Sequence, residues 1–428
     1  MLLRNGTAIA LVPPSVRRMD IRIEGGLISA CGGKLRARPG ESAVDLNGAV
    51  VTPGMVCAHT HLYSSLSRGM AAPRRSPRNF TQILEYVWWK LDRALDEEMI
   101  YASALAGAVE AAQCGTTTLV DHHASPNAIS GSLDLIRAAL EDVGLRGVLC
   151  YETTDRGGIR RRNDGIRENE RFALRHLDHP TVRGMIGAHA SFTLSDETMG
   201  ALAELQAALG CGLHIHVAED MSDVRRTPGG IVQRLQEFGL LTPRSILAHG
   251  VHLSGAECAE IRRSGSWLIH NPRSNMNNAV GYAPVHRFGP RTALGTDGFP
   301  ADMFEESKIA YVRNRETRRA LPFDRVPGML AAGQSLAGEI FDLPFGSIAP
   351  GAPADLAVLA YHPPTPMTSA NLLGHLLFGM HARMVTDVMV NGAWIMRGRR
   401  MATIDEERLA RTTRRAAKRL WKAMEALR

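Results

Sequence analysis

Residues 55–61 read MVCAHTH, a short apolar run ending in two histidines at i and i+2. Alternate side chains of a strand share a face, so His59 and His61 point the same way. The pattern returns as TTLVDHH (117–123), GVLCYET (147–153), GMIGAHA (184–190), GLHIHVAE (212–219), SILAHG (245–250), SWLIHNP (266–272) and TALGTDG (292–298). Nearly every run is followed at its C-terminal end by His, Asp or Glu. Helical stretches separate the runs. Asp96-Glu97-Glu98 opens YASALAGAVEAAQ before Gly115, Ser195 starts a helix ending at Gly210, and Ser254 with Glu257 forms a capping box closed by Gly265. Alternating strand and helix is the signature of a parallel sheet. Eight such strands with polar residues at their C-terminal ends predict an α/β chain, a (β/α)₈ TIM-type barrel whose active site lies at that end.

The barrel is predicted over residues 56–346. The flanks, 1–55 and 347–400, read instead as short strands broken by turns (TAIALV, MDIRIEGG, DLAVLA), with VTDVMV and AWIMRGRR as half-exposed strands around Asn391-Gly392. They predict one small β-sandwich domain built from both chain ends. Residues 401–428 read as a helix with Leu409, Leu420, Trp421 and Met424 in an apolar stripe, expected to pack on the barrel or on a partner subunit.

Composition narrows the function classes. Of 428 residues 45% are hydrophobic and 22% charged, as in folded globular proteins. No apolar run approaches the roughly 20 residues needed to span a bilayer, and the N-terminus does not read as a signal peptide, so a cytoplasmic protein without a membrane partner is expected. The six cysteines are scattered without CxxC spacing, against a disulfide framework or a thiolate zinc site. The net charge of +7 gathers in RRMDIR, APRRSPR, DRGGIRRRN and RTTRRAAKRLWK, which carry no interleaved aromatics and no nucleic-acid motif. A solvated basic face is expected, not a nucleic-acid partner.

His59 and His61 on the first strand are joined by His214 and His216 at the same spacing on the fifth, with Glu219 just beyond. His249 ends the sixth strand and Asp297 the eighth. Imidazole and carboxylate suit a borderline divalent ion with a position left open for water. His216, nearer the strand end, is the favoured ligand of its pair; His214 reads equally as a buried interior histidine or as a support for the ligands.

PGMVCAHTHL, CGTTTLVDHH, HIHVAED, AHGVHLS, HNPRSNM and LGTDG resemble the amidohydrolase superfamily, in the branch of cytosine, guanine and adenosylhomocysteine deaminases and triazine chlorohydrolases. The likeness extends to PGAPADLAVL and VMVNGAWI. HTHLYSSLSRGM, NFTQILEYVWWKLDRALD, DHHASP, CYETTDR and AAKRLWKAM resemble the SsnA-type aminohydrolases linked to purine catabolism. The resemblance implies His59, His61, His216 and Asp297 as metal ligands, Glu219 and His249 as proton-transfer residues, and His189 as a substrate contact. Binuclear relatives bridge two metals through a strand-four lysine or acidic group; no lysine lies between Lys90 and Lys308 and GMIGAHAS has no acid, so one ion is implied. Zinc is the leading choice, ferrous iron the alternative.

The implied reaction is hydrolytic deamination of a small nitrogen heterocycle such as a purine, pterin or triazine-like ring by a metal-activated hydroxide. Asp297 accepts the water's proton, Glu219 protonates a ring nitrogen and His249 holds the hydroxide and the developing alkoxide. Further substrate contacts are expected from His122 or His123, Trp89 or Trp88, Glu152, Arg156 and Asn275, with Arg68 and Arg273 as other candidate clamps for a carboxylate. A cyclic amide hydrolase or chlorohydrolase using the same mononuclear site is the alternative, since activated water is indifferent to what leaves. A scaffold that has lost its metal is disfavoured by the complete residue set. The resemblance also allows a homodimer.

Overall fold

The computed structural model describes residues 1–427. Eight strands follow one another in parallel: β1 (Met55–Thr60), β2 (Thr116–His123), β3 (Arg146–Tyr151), β4 (Val182–Gly184 continuing as Ile186–Ala190), β5 (Leu213–Val217), β6 (Ile246–His249), β7 (Trp267–His270) and β8 (Thr292–Leu294). They run as two arcs, β1 to the first part of β4 and the second part of β4 to β8. Bridges at their C-terminal ends join the arcs, Thr153 to Ala188 at one junction and Thr60 to Asp297 at the other. At the second junction the His61 amide donates to the Asp297 carbonyl (3.2 Å), and the Thr296 and Asp297 amides donate to the His59 carbonyl (2.9 and 3.1 Å). The chain is a (β/α)₈ barrel.

The helices between strands start and stop where the sequence punctuates them. Asp96 accepts from the Met99 amide at the head of Glu97–Gln113, Ser195 caps Asp196–Leu209 and Gly210 ends it in the left-handed region, and Ser254 with Glu257 completes the capping box of Gly255–Ser264. A small inner core takes Ala58, Val120, Val148, Ile246, Ile269 and Ala293 from six different strands, which fills the barrel below its mouth.

Strands from both chain ends share one hydrogen-bonded sheet of nine strands, in which Val50–Pro53 pairs antiparallel with Leu356–Leu359. Its core gathers Leu3, Ile21, Ile28, Val51, Leu356 and Met389. Of the two strands around Asn391-Gly392, expected half-exposed, Val385–Val390 buries Val388 and Val390 and leaves Thr386 and Asp387 half-buried, and Ala393–Arg397 has both ends exposed. The Asn391-Gly392 turn has φ of +49° and +77°, the pair of positive values that a tight two-residue hairpin requires. Arg146 of β3 makes a paired contact with Asp355 at 2.6 and 3.1 Å, both residues buried, and ties this sheet to the barrel.

The C-terminal helix, Glu406–Ala426, packs against Glu97–Gln113 and the segment after β1. Trp421 Nε1 donates to the Leu66 carbonyl (2.8 Å), and Arg419 pairs with Asp96 and Glu98. No described helix is long and apolar enough to cross a membrane. The six cysteines are unpaired.

Candidate active site

Strand alternation turns His59 and His61 of β1 and His214 and His216 of β5 into the barrel mouth, where Asp297 follows β8. The ligand atoms of His59, His61, His216 and Asp297 all lie within 4.8 Å of one another. His61 Nε2 is 2.8 Å and His59 Nε2 3.5 Å from Asp297 Oδ1. Gly295 makes the approach possible, since a Cβ there would stand 2.4 Å from Asn271 Oδ1 and 2.8 Å from His59 Cβ.

The opposite ring nitrogens settle the tautomers. His61 Nδ1 donates to the His122 carbonyl (2.6 Å) and His216 Nδ1 to the His189 carbonyl (2.7 Å). In the neutral ring each Nε2 is then a bare lone pair, and the two face each other at 3.2 Å. His59 Nε2 is buried without a hydrogen-bond partner. Three imidazole lone pairs and a carboxylate crowded on one point repel unless a cation sits among them, so these residues fit a divalent ion with N/O ligands. Support for the ligands runs a layer deeper. His214, wholly buried, places Nε2 2.8 Å from His59 Nδ1, which resolves its two readings in favour of a partner for His59.

Glu219 and His249 stand beside this point and form a second group with Asp297. His249 Nε2 lies 3.8 Å from Glu219 Oε2 and has no partner, while its Nδ1 donates to Asn275 Oδ1 (2.8 Å). Burial, reinforced by the charge of Asp297, holds the Glu219 carboxyl well above the usual carboxylate range. His249 and Asp297 both adopt positive φ, +76° and +53°, unusual for residues with a Cβ and a mark of side chains aimed by their surroundings.

The mouth narrows to a cavity of about 60 Å³. His61, His216, Glu219 and Asp297 line one end, His189 and Glu152 one side, and Phe80, Leu84, Trp88 and Trp89 the cover. The cover is the helical segment Phe80–Ala94, which contains a π-turn at Leu84–Trp88, an irregularity that recurs at functional sites. A satellite core of Phe80, Leu84, Val251 and Val280 pins it across the mouth.

The expected substrate contacts divide. His189, Glu152 and both tryptophans line the cavity. Arg156 stands behind that lining, stacked 4.6 Å over the Trp89 ring and bonded to Glu152 Oε1 (2.8 Å). His122 is buried below it, with Nδ1 3.4 Å from Glu152 Oε2; His123 turns the other way to Ser125. Asn275 touches His249. Arg68 is occupied by Glu110, and Arg273 by Glu305 and Glu306, so neither reaches the cavity. Burial pushes His189 down to about 3, leaving it neutral.

Of the cavity residues that the sequence did not single out, which include Tyr63, Ser64, Phe80, Leu84 and Asn278, one is charged. Asp92 lines the pocket with Oδ1 buried and unpartnered and Oδ2 3.9 Å from Arg156, and burial pushes its carboxyl up to about 7. Within LDRALD it looks like any charged position on a surface helix, and only the folding of the cover over the mouth distinguishes it.

Residues 50–395 match the model of the amidohydrolase family. The chain is 30% identical to a 5-methylthioadenosine/S-adenosylhomocysteine deaminase of Desulforudis audaxviator, over 98% of this chain and 99% of the relative. It is 29% identical to a 5'-deoxyadenosine deaminase of Methanothermobacter thermautotrophicus, over 92% of each. Among solved structures it superposes on a zinc-bound adenosine deaminase from Xanthomonas campestris with a TM-score of 0.84, 22% identity and 98% of each chain covered. A zinc complex of atrazine chlorohydrolase from Arthrobacter aurescens gives 0.79 at 21% identity, over 97% of this chain and 99% of the other.

Proposed function

We propose, from the premise that the chain belongs to the amidohydrolase family, that it is a metal-dependent aminohydrolase removing the exocyclic amino group of an adenine-type purine. The observation that carries this reading is the convergence of His59, His61, His216 and Asp297 on one point, with Glu219 and His249 beside it. The substrate class follows the relatives, named as deaminases of 5-methylthioadenosine, S-adenosylhomocysteine and 5'-deoxyadenosine. The apolar cover of Phe80, Leu84 and Trp88 suits one face of a flat ring.

A divalent ion held by the four ligands, zinc first among candidates, supplies Lewis acidity and lowers the pKa of water from about 15.7 towards 7. Asp297 is the acceptor of the proton that the attacking water loses. Glu219, kept protonated by burial, delivers a proton to the ring nitrogen beside the carbon under attack, which makes that carbon electrophilic. His249, with Nδ1–H given to Asn275, turns the Nε2 lone pair to the water and holds it in line. Asp297 then returns its proton to the departing amine while the Glu219 carboxylate takes the proton of the new hydroxyl, so ammonia leaves, the carbon becomes a carbonyl and both carboxyl groups regain their starting states. His189 and Trp89 touch the ring. Asn275 acts through His249, His122 through the His61 tautomer and Glu152, and Arg156 through Glu152 and Trp89.

Zinc-loaded protein should release ammonia from adenine nucleosides in a panel that also holds pterins, a cyclic amide and a chlorotriazine. Glu219→Gln should lower that release by at least about a hundredfold with metal content unchanged. Chloride or a ring-opened acid without ammonia would replace this reading with the chlorohydrolase or amide hydrolase, and near-normal turnover by the variant would remove Glu219 from the chemistry.

A further inference from the structure

The cover segment has two faces. One presents Leu84, Trp88, Trp89 and Asp92 to the catalytic cavity; the other, with Glu85, Tyr86, Val87, Lys90 and Arg93, lines a separate cavity of about 750 Å³. The floor of this second cavity is the loop Met70–Arg75, and its far wall is the C-terminal helix with Trp421, Met424 and Glu425. The loop belongs to the basic run APRRSPR, and the C-terminal run RTTRRAAKRLWK reaches the same space through Trp421 alone, although more than three hundred residues separate them.

We propose that this cavity binds a small organic anion with a flat apolar body, of mononucleotide dimensions, and that its occupancy sets the position of the cover. The volume falls within the roughly 300–1,000 Å³ of small-molecule pockets. The charge is one-sided: Arg74, Arg75, Lys90 and Arg93 face two carboxylates, Glu85 and Glu425. Among the described residues none of these four cations makes a salt bridge. Arg74 and Arg75 donate no hydrogen bond, while Arg93 donates to the Trp89 carbonyl and Lys90 to the Leu427 carbonyl. Guanidinium groups left free around a cavity offer paired donors to a phosphate or carboxylate. The body has its own wall in Tyr86, Val87, Met424 and the ring of Trp421, whose single N–H is already given to Leu66 and leaves only its π-face to offer.

Coupling follows from the shared segment. The catalytic cavity is narrow, at about 60 Å³, and any movement of Phe80–Ala94 that widens it changes the second cavity behind it. A ligand that binds one position of the segment better than the other shifts the balance between them, and substrate and ligand must affect each other's binding reciprocally.

Calorimetry with uridine monophosphate, which lacks the adenine amino group, and, separately, inorganic phosphate on the full zinc-loaded chain tests the proposal without requiring turnover, so a failed deaminase reading leaves the binding result intact. One mole of the nucleotide should bind per chain, inorganic phosphate should bind more weakly, and Arg74→Glu with Arg75→Glu should weaken the nucleotide at least about tenfold. That double variant should keep kcat/KM without nucleotide within twofold of the parent, while the nucleotide shifts KM of the parent and not of the variant. Val87→Trp, which fills the cavity without altering charge, should abolish binding as well. The proposal is overturned by absence of nucleotide binding, by binding that survives both variants or is displaced competitively by substrate, or by binding that leaves KM untouched.

Discussion

Replacing His214 tests the layer beneath the proposed metal ligands. Its Nε2 stands 2.8 Å from His59 Nδ1, and both residues have no exposed surface. In His214→Phe the His59 N–H keeps its place but loses its acceptor, and a buried donor left unpaired costs about 1–3 kcal/mol. The imidazole is also freed to adopt the tautomer that presents N–H instead of a lone pair to the ion. Groups in this position typically govern ten- to hundredfold in metal affinity, and at about 1.4 kcal/mol per tenfold the two figures agree. Zinc affinity measured by competition with a chromophoric chelator should therefore fall ten- to hundredfold in the Phe variant. His214→Gln, which returns a carbonyl acceptor, should recover much of the loss. Equal affinities for wild-type and Phe protein, both folded by circular dichroism, would refute the reasoning.

Asp92→Asn should raise thermal stability at pH 8 and less so as pH falls. Burial moves the folded carboxyl from 3.8 to about 7, so between those values the folded state holds a proton that the unfolded state has lost. Wild-type stability thus declines as pH rises through that window, and Asn removes a cost of at most about 4 kcal/mol above it; melting temperatures across pH 4–8 check the sign. Asn275→Ala should lower kcat by about tenfold or more at unchanged zinc content, because His249 loses the acceptor that fixes its tautomer; elemental analysis beside steady-state kinetics separates the two effects. Arg146→Ala should cost about 3–5 kcal/mol in urea unfolding, since Asp355 would remain buried and uncompensated between barrel and outer sheet.

The convergence of the four candidate ligands was legible because a strand's twofold period makes HTH and HIH one-faced without knowledge of anything distant, and because eight similar runs imply a barrel that brings their ends together. The same rule separated His122 from His123 in principle: neighbours on a strand face opposite ways, and one turns inward while the other meets Ser125. Which one could not be read without the phase of the strand. Asn275 was legible as a mouth residue but not as the partner of His249, since it sits on a short helix, Pro272–Asn277, whose direction depends on β6 beside it. Asp92 left no local trace at all. Its burial arises from a cover folding back over the mouth, and the arginines once considered as substrate clamps proved to be held by glutamates on neighbouring helices.

The junction where the barrel ends meet is stitched by the backbone of His59, His61 and Asp297, the same residues whose side chains gather at the proposed ion. A chain that has not brought its first and last strands into register thus has no place for zinc, and loading becomes a checkpoint on completed folding. Chelation would then act like opening a buckle: exchange of the amides at that junction should quicken first, while the far side of the ring stays protected.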